Sequence, residues 1–190
     1  MVASSPDDAL VRRAAGGDRN AFDEIVRRHR DRVWAVTLRI CRNHEEAEDA
    51  LQETFIAAYR SLGSFRGGAQ LSTWLYRIAT NKSYDVIGRR RPTVTLEDVA
   101  EPASQVDHYE QSSRRAALEA AIRTLPDGFR EACVLCDVMG LTPTEAAEVL
   151  GIPAGTVKSR AFRGRALLAK SLQGEAREPG GAHAVEGETT

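Results

Sequence analysis

The sequence predicts an all-α protein, two small helical domains joined by a flexible linker, with a helix-turn-helix in the second. Three observations predict it. Apolar residues recur every three to four positions through residues 7–91 and again through 113–173, the spacing of one helix face. Alternating apolar and polar runs, the mark of a half-buried strand, are nearly absent. Between the two stretches, residues 92–112 carry Pro92, Pro102, an excess of acids and no strong periodicity, and read as an acidic flexible linker.

In order along the chain, Asp7 or Asp8 is placed to cap a first helix with Leu10, Val11, Ala14 and Ala15 on its apolar side, and Gly16-Gly17-Asp18 ends it. Asn20 is placed to cap a second, carrying Phe22, Ile25, Val26, His29, Val33 and Val36 to Leu38. Asn43 precedes a third, in which Ala47, Ala50, Leu51, Thr54, Phe55, Ala58 and Tyr59 keep the period. A glycine-rich loop follows from Ser61 to Gly68. Ser72 is expected to cap a helix running to about Gly88, and Arg89-Arg90-Arg91-Pro92 ends it, because a residue before proline disfavours helical geometry. The second block is expected to begin near Ser113. Its first helix stops at Pro126-Asp127-Gly128, a second runs from Phe129 to Val138, and two more span Thr142–Leu150 and Ala154–Leu172. The tail 174–190 has almost no large apolar residues and is expected to be disordered.

Composition narrows the class. With 42% apolar and 28% charged residues, the chain is neither collagenous, nor a membrane bundle, nor disordered throughout. No apolar run approaches the roughly 18 residues of a membrane span. Met1 to Asp8 shows no secretory signal, and Cys41, Cys133 and Cys136 are too few for a disulfide scaffold, so a reduced cytoplasmic protein is expected. The formal net charge of -1 hides strong segregation. Residues 61–92 hold six basic side chains and one acidic, and residues 149–173 hold five basic and none acidic. Two basic modules in an otherwise neutral-to-acidic chain suit two separate contacts with nucleic acid.

The most specific local signal is the run from Thr142 to Arg160. Thr142 with Glu145 reads as a capping box, with Pro143 in the first helical position. Ala147 is small where helices would cross, and Gly151 stands where a tight turn needs positive φ. Ile152 and Val157 supply apolar contacts on either side. This spacing resembles a DNA-binding helix-turn-helix. Turned at about 100° per residue, Val157, Ala161, Gly164 and Leu168 form one stripe. Lys158, Ser159, Phe162, Arg163 and Lys170 face away from it. A large aromatic centred on a basic outward face has no core to join, and base-edge or thymine-methyl contact would explain it. The alternative is a solvated helix end with Phe162 packed sideways. In the 72–88 helix, Arg77, Thr80, Asn81 and Tyr84 face outward beside a loop containing Phe65, a set suited to unstacked bases or simply to solvent.

Taken in order, Asp18…Ala21-Phe22, Glu48-Asp49-Ala50-Leu51-Gln52-Glu53-Thr54-Phe55, Ser64-Phe65-Arg66-Gly67…Thr73-Trp74-Leu75-Tyr76-Arg77-Ile78-Ala79 and Gly155-Thr156-Val157-Lys158-Ser159-Arg160…Arg163-Gly164-Arg165 resemble a bacterial extracytoplasmic-function (ECF) sigma factor of the sigma-70 family. The resemblance covers about residues 7–173. It implies a sigma region 2 domain over 7–91, a linker over 92–112 and a sigma region 4 domain over 113–173. It implies docking on the β′ clamp helices of core RNA polymerase through Asp49, Gln52 and Phe55, with Phe55 partly in the core. It also implies capture of a base flipped from the -10 element by the Ser61–Gln70 loop with Phe65 and Asn81. Arg77 and Tyr84 share that face, and Arg89, Arg90 and Arg91 would hold adjacent phosphates unless they form a solvated helix end. Lys158, Ser159, Phe162 and Arg163 would enter the -35 major groove, with Arg160 and Arg165 on the phosphates. Trp74 and Leu75 fall to core packing. The linker would thread toward the polymerase active-site cleft. The resemblance further implies contact with the β flap, control by an anti-sigma factor, no cofactor, no metal, no catalytic residue and no membrane insertion.

The chain departs from the usual family pattern at Cys133-x-x-Cys136, which as one pair is a poor zinc site and reads as core residues or as a redox pair. Two other functions compete with the sigma reading. A two-domain repressor or activator would normally carry a ligand or dimerisation module where residues 7–92 instead present a basic face. A nucleic-acid-processing enzyme would need a carboxylate or metal constellation near the basic stretches, and none is visible.

Overall fold

The computed structural model describes residues 7–67, 70–89 and 109–175, with side chains in the last span placed for 115–173. The described residues form eight α-helices and no strand. Helices α1 (Asp8–Ala15), α2 (Arg19–Cys41), α3 (His44–Ser61) and α4 (Leu71–Arg89) make an N-terminal bundle. Helices α5 (Tyr109–Thr124), α6 (Asp127–Cys133), α7 (Pro143–Leu150) and α8 (Ala154–Glu175) make a C-terminal one. Helix α5 takes up the last four residues of the expected linker; the rest of it, and the tail beyond Glu175, lie outside the described residues.

The periodic apolar residues close the N-terminal core. Ile25, Val33, Val36 and Ile40 of α2 meet Leu51 and Ala58 of α3 and Leu71, Leu75, Tyr76 and Ala79 of α4, all buried. Tyr59 departs from its expected core position. It is 45% exposed, because its ring lies edge-on to Phe22 at the rim, centroids 4.9 Å apart. The caps also differ in part. Asp7 occupies the N-cap position of α1 without capping; its carboxylate lies 2.9 Å from His29 Nε2, which pins α1 to α2. Asp18, not Asn20, caps α2, accepting from the Ala21 N–H at 3.2 Å. The Arg13 guanidinium on the same carboxyl holds Asp18 below the usual carboxylate range. Asn43 caps α3 as expected, accepting from the Glu46 N–H. Helix α4 starts one residue before Ser72, which therefore lies inside it.

In the C-terminal bundle, Ala132 and Leu135 pack under Val157 and Ala161 of α8, and Val134 is buried beside them in sequence. The expected helix Phe129–Val138 begins earlier, at Asp127, and widens into a π-turn over Val134–Val138. The Met139 N–H reaches the Val134 carbonyl there at 2.9 Å. The two bundles also touch. Helix α4 runs beside α7, the Arg39 guanidinium bonds the Glu119 carboxylate, and Arg42 lies 3.5 Å from Asp127.

Candidate nucleic-acid and polymerase interfaces

The turn that aims α8 is built as the sequence predicts. Thr142 Oγ1 accepts from the Glu145 N–H, and the Glu145 carboxylate accepts from the Thr142 N–H at 2.8 Å, a complete capping box with Pro143 at the helix start. Gly151 has φ +66°, the left-handed conformation that only glycine adopts without a Cβ penalty. Val157, Ala161 and Gly164 are buried, and Leu168 is half-buried. Lys158, Ser159, Phe162 and Arg163 are exposed on the opposite side, and Phe162 at 72% is the most exposed of the large apolar side chains described. Ser159 Oγ donates to the Thr156 carbonyl at 3.0 Å.

Two arginines of this helix are placed in ways their sequence context did not disclose. Arg165 donates through Nε and Nη2 to both carboxylate oxygens of Asp137, at 2.8–3.3 Å. Arg160 is half-buried against α6, so close to Gly128 that a Cβ there would lie 3.1 Å from its guanidinium carbon. Near it is the buried Glu131, whose carboxyl burial pushes up to about 7 against the pull of Arg160.

Glu131 makes stability depend on pH. In the unfolded chain its carboxyl titrates near 4.5, so the folded protein holds the proton more tightly. Its contribution favours folding at the acid end of that window and is lost as pH rises through about 7. Glu131→Gln is expected to flatten this dependence and to raise stability near pH ~8 by about 1–3 kcal/mol. Urea unfolding across the window checks it; a variant with the wild-type pH profile would refute the assignment.

The outward face of α4 carries Arg77, Asn81 and Tyr84, all exposed, whereas Thr80, expected beside them, is turned inward and buried. The loop before it is more packed than its composition suggests. Phe65 is half-buried against Trp74, with ring centroids 5.3 Å apart, and Ser61 Oγ donates to the Ala57 carbonyl at 2.7 Å. Arg89, at the end of α4, is held by Glu53 of α3, which also lies 3.5 Å from Lys82. The Arg89 guanidinium keeps the Glu53 carboxyl below the usual carboxylate range. Arg90 and Arg91 lie outside the described residues.

On α3, Asp49 and Gln52 are exposed and Phe55 is half-buried against the core. The structure adds Ile56, 51% exposed, and Tyr59, which with Phe22 and Phe55 floor a shallow groove of about 510 Å³ rimmed by Arg19, Asp23 and Arg60. Helical spacing groups Phe22, Phe55 and Tyr59 with the core and so hides their part in it, whereas Ile56 lies off the core period of α3.

The cysteines are free thiols, Cys41 and Cys133 buried and Cys136 half-buried. Burial pushes Cys41 and Cys133 up to about 11, which leaves them almost wholly protonated at neutral pH and poor nucleophiles. Among the described residues no group of histidine, cysteine or carboxylate side chains could hold a metal ion. No described helix is long and apolar enough to cross a membrane.

An α-helical bundle with an outward basic-aromatic face, followed by a helix-turn-helix domain, defines a two-domain transcription factor. Residues 25–93 match the family description "Sigma-70 region 2" and residues 115–168 match "Sigma-70, region 4". The chain is 38% identical to RNA polymerase sigma-H factor of Pseudomonas aeruginosa, over 94% of this chain and 100% of that one. It is 39% identical to ECF RNA polymerase sigma factor SigM of Mycobacterium tuberculosis, over 87% and 84%. Among solved structures, the sigma factor RpoE of Bartonella quintana, in complex with the anti-sigma factor NepR, superposes with a TM-score of 0.69 at 27% identity, over 80% of this chain and 96% of that one. The chain belongs to the sigma-70 family, in its extracytoplasmic-function branch. Its role is that of a transcription initiation factor working with core RNA polymerase and promoter DNA, and it is not an enzyme.

Proposed function

We propose that α8 reads the -35 element through Lys158, Ser159, Phe162 and Arg163, while α4 and the preceding loop receive the melted -10 strand. The observation that carries this reading is Phe162, an aromatic ring 72% exposed on a helix whose other face is buried. Exposed among cationic side chains, it suits thymine-methyl or base-edge contact in the major groove. On α4, Asn81 reads the edge of an unstacked base and Tyr84 offers a stacking surface, with Arg77 beside them. Phe65, packed on Trp74, shapes the loop that receives the base. Ser61 holds the start of that loop through its bond to Ala57. Arg89, with Arg90 and Arg91, meets adjacent phosphates, as do Arg160 and Arg165 at the flanks of α8.

Helix α3 docks on the β′ clamp helices through Asp49, Gln52 and Phe55, and the region 4 domain meets the β flap. The NepR complex of the RpoE neighbour supports control of this chain by an anti-sigma factor. Its place of work is the cytoplasm. Run-off transcription with core polymerase, with and without the full chain, tests the function. A promoter-dependent transcript is expected only with the chain present. Asp49→Ala with Gln52→Ala is expected to lower retention of core polymerase in a pull-down by roughly tenfold or more, about 1.4 kcal/mol. Normal retention would overturn the docking face.

A further inference from the structure

Two arginines assigned to DNA phosphates are already occupied inside the protein. Arg165 of α8 is bound in a forked, two-nitrogen contact by Asp137, which lies 28 residues earlier on the π-turn after α6. Arg89, at the end of α4, is held by Glu53 of α3, 36 residues earlier. Both pairs join different helices of one domain. Neither is buried: the side chains of Arg165 and Asp137 are 55% and 40% exposed, and those of Arg89 and Glu53 are 61% and 28% exposed. A phosphate can therefore reach each guanidinium. The fork that binds a carboxylate also binds a phosphate, so the carboxylate and the DNA compete for the same donors.

We propose that Asp137 and Glu53 are built-in competitors for DNA, which hold Arg165 and Arg89 until correctly placed phosphates displace them. DNA binding at each arginine is then an exchange. One guanidinium–carboxylate contact breaks, one guanidinium–phosphate contact forms, and the released carboxylate returns to water with its own counterion. Each exchange gains less than a free arginine would. Its contribution to counterion release is also smaller than the nearly one unit expected for an unpaired cation. The effect on discrimination is direct. A loosely placed duplex cannot offer a forked acceptor to either arginine and wins little from them. A promoter held by Phe162 and Arg163 on one domain and by Asn81 on the other presents its phosphates in register and completes both exchanges. The competitors thus lower binding to arbitrary DNA more than binding to promoter DNA.

The inference rests on the reading of α8 and α4 as DNA-facing, and its test separates the two. The full chain is titrated onto a fluorescein-labelled duplex of scrambled sequence, read by anisotropy over a series of salt concentrations. Asp137→Asn is expected to tighten binding about two- to fivefold and to steepen the salt dependence by up to about one unit. In an Arg165→Gln background the same substitution is expected to keep only the smaller, ordinary effect of deleting a negative charge near DNA. That double-mutant cycle removes the ordinary effect of deleting a negative charge near DNA, which would persist in both backgrounds. Glu53→Gln, alone and with Arg89→Gln, gives the parallel cycle on a labelled oligothymidine strand, run with Lys82→Gln in both backgrounds because Glu53 also faces that lysine, and a second variant should Asp137→Asn disturb the π-turn. Thermal melts of all variants show that the fold is kept. Equal tightening in both backgrounds, or none in either, overturns the proposal while leaving the DNA reading intact. If wild type and variants all fail to bind both probes at low salt, the DNA reading falls and the proposal with it.

Discussion

Gly164→Ala is expected to destabilise the C-terminal domain by about 1–3 kcal/mol, although alanine is the better helix former. Gly164 is where α8 crosses α6. A Cβ there would lie 2.5 Å from Cys133 Sγ, 3.2 Å from the Phe129 carbonyl oxygen and 3.4 Å from the Phe129 Cβ. The first distance is well inside van der Waals contact and demands movement. The thiol is buried, so it has little room to turn away, and the carbonyl belongs to the α6 backbone. The helix-propensity gain of about 1 kcal/mol offsets only part of this cost. Urea unfolding followed by circular dichroism checks the value. Cys133→Ala in the same chain removes the tightest contact and is expected to restore most of the loss. A Gly164→Ala protein as stable as wild type would show that α6 and α8 are not held at this separation.

Two residues away, the opposite pattern is expected. Phe162→Ala with Arg163→Ala should leave stability within about 0.5 kcal/mol of wild type, because both side chains are exposed. Promoter-directed transcription should fall by roughly a hundredfold, since each base contact discriminates by about 1–3 kcal/mol. Binding to core polymerase should be unchanged, because the docking face proposed on α3 lies on the other domain. Run-off transcription from matched and mismatched promoters, with a pull-down of core polymerase in parallel, separates these outcomes. Unchanged promoter choice would remove α8 as the reader. Together the two variants would separate a face of α8 that holds the domain together from the face proposed to meet DNA.

The contrast also shows what the sequence made legible. The turn into α8 was readable because its determinants are local. A capping box needs Thr142 and Glu145 three residues apart, and a left-handed turn needs Gly151. The outward set of Lys158, Ser159, Phe162 and Arg163 followed from helix rotation alone. The caps of α1 and α2 were less secure because several acceptors stand close together. Asp7 satisfies His29 on another helix instead of its own helix start, and Asp18 takes the capping position open to Asn20. Helical rotation placed Tyr59 inside, whereas only the packing of α2 on α3 shows that its position reaches the rim. Arg160 and Arg165 looked alike as cations flanking α8. They differ because Gly128 and Glu131 draw one inward and Asp137 holds the other, partners more than two dozen residues away in sequence. Such pairings depend on the crossing of α6 and α8, which periodicity does not encode.

Arg42 joins α2 to α3 with φ +61°, the sole non-glycine in the left-handed region among the described residues. Such a conformation costs roughly 1–2 kcal/mol for a residue with a Cβ, and glycine would relieve it. Glycine would also remove the guanidinium that reaches Asp127 on the other domain. The hinge between two helices of one domain is thus also an anchor point for the other. Local backbone comfort and the mutual orientation of the two halves are set against each other at one residue, and swapping that side chain would tighten the first while loosening the second.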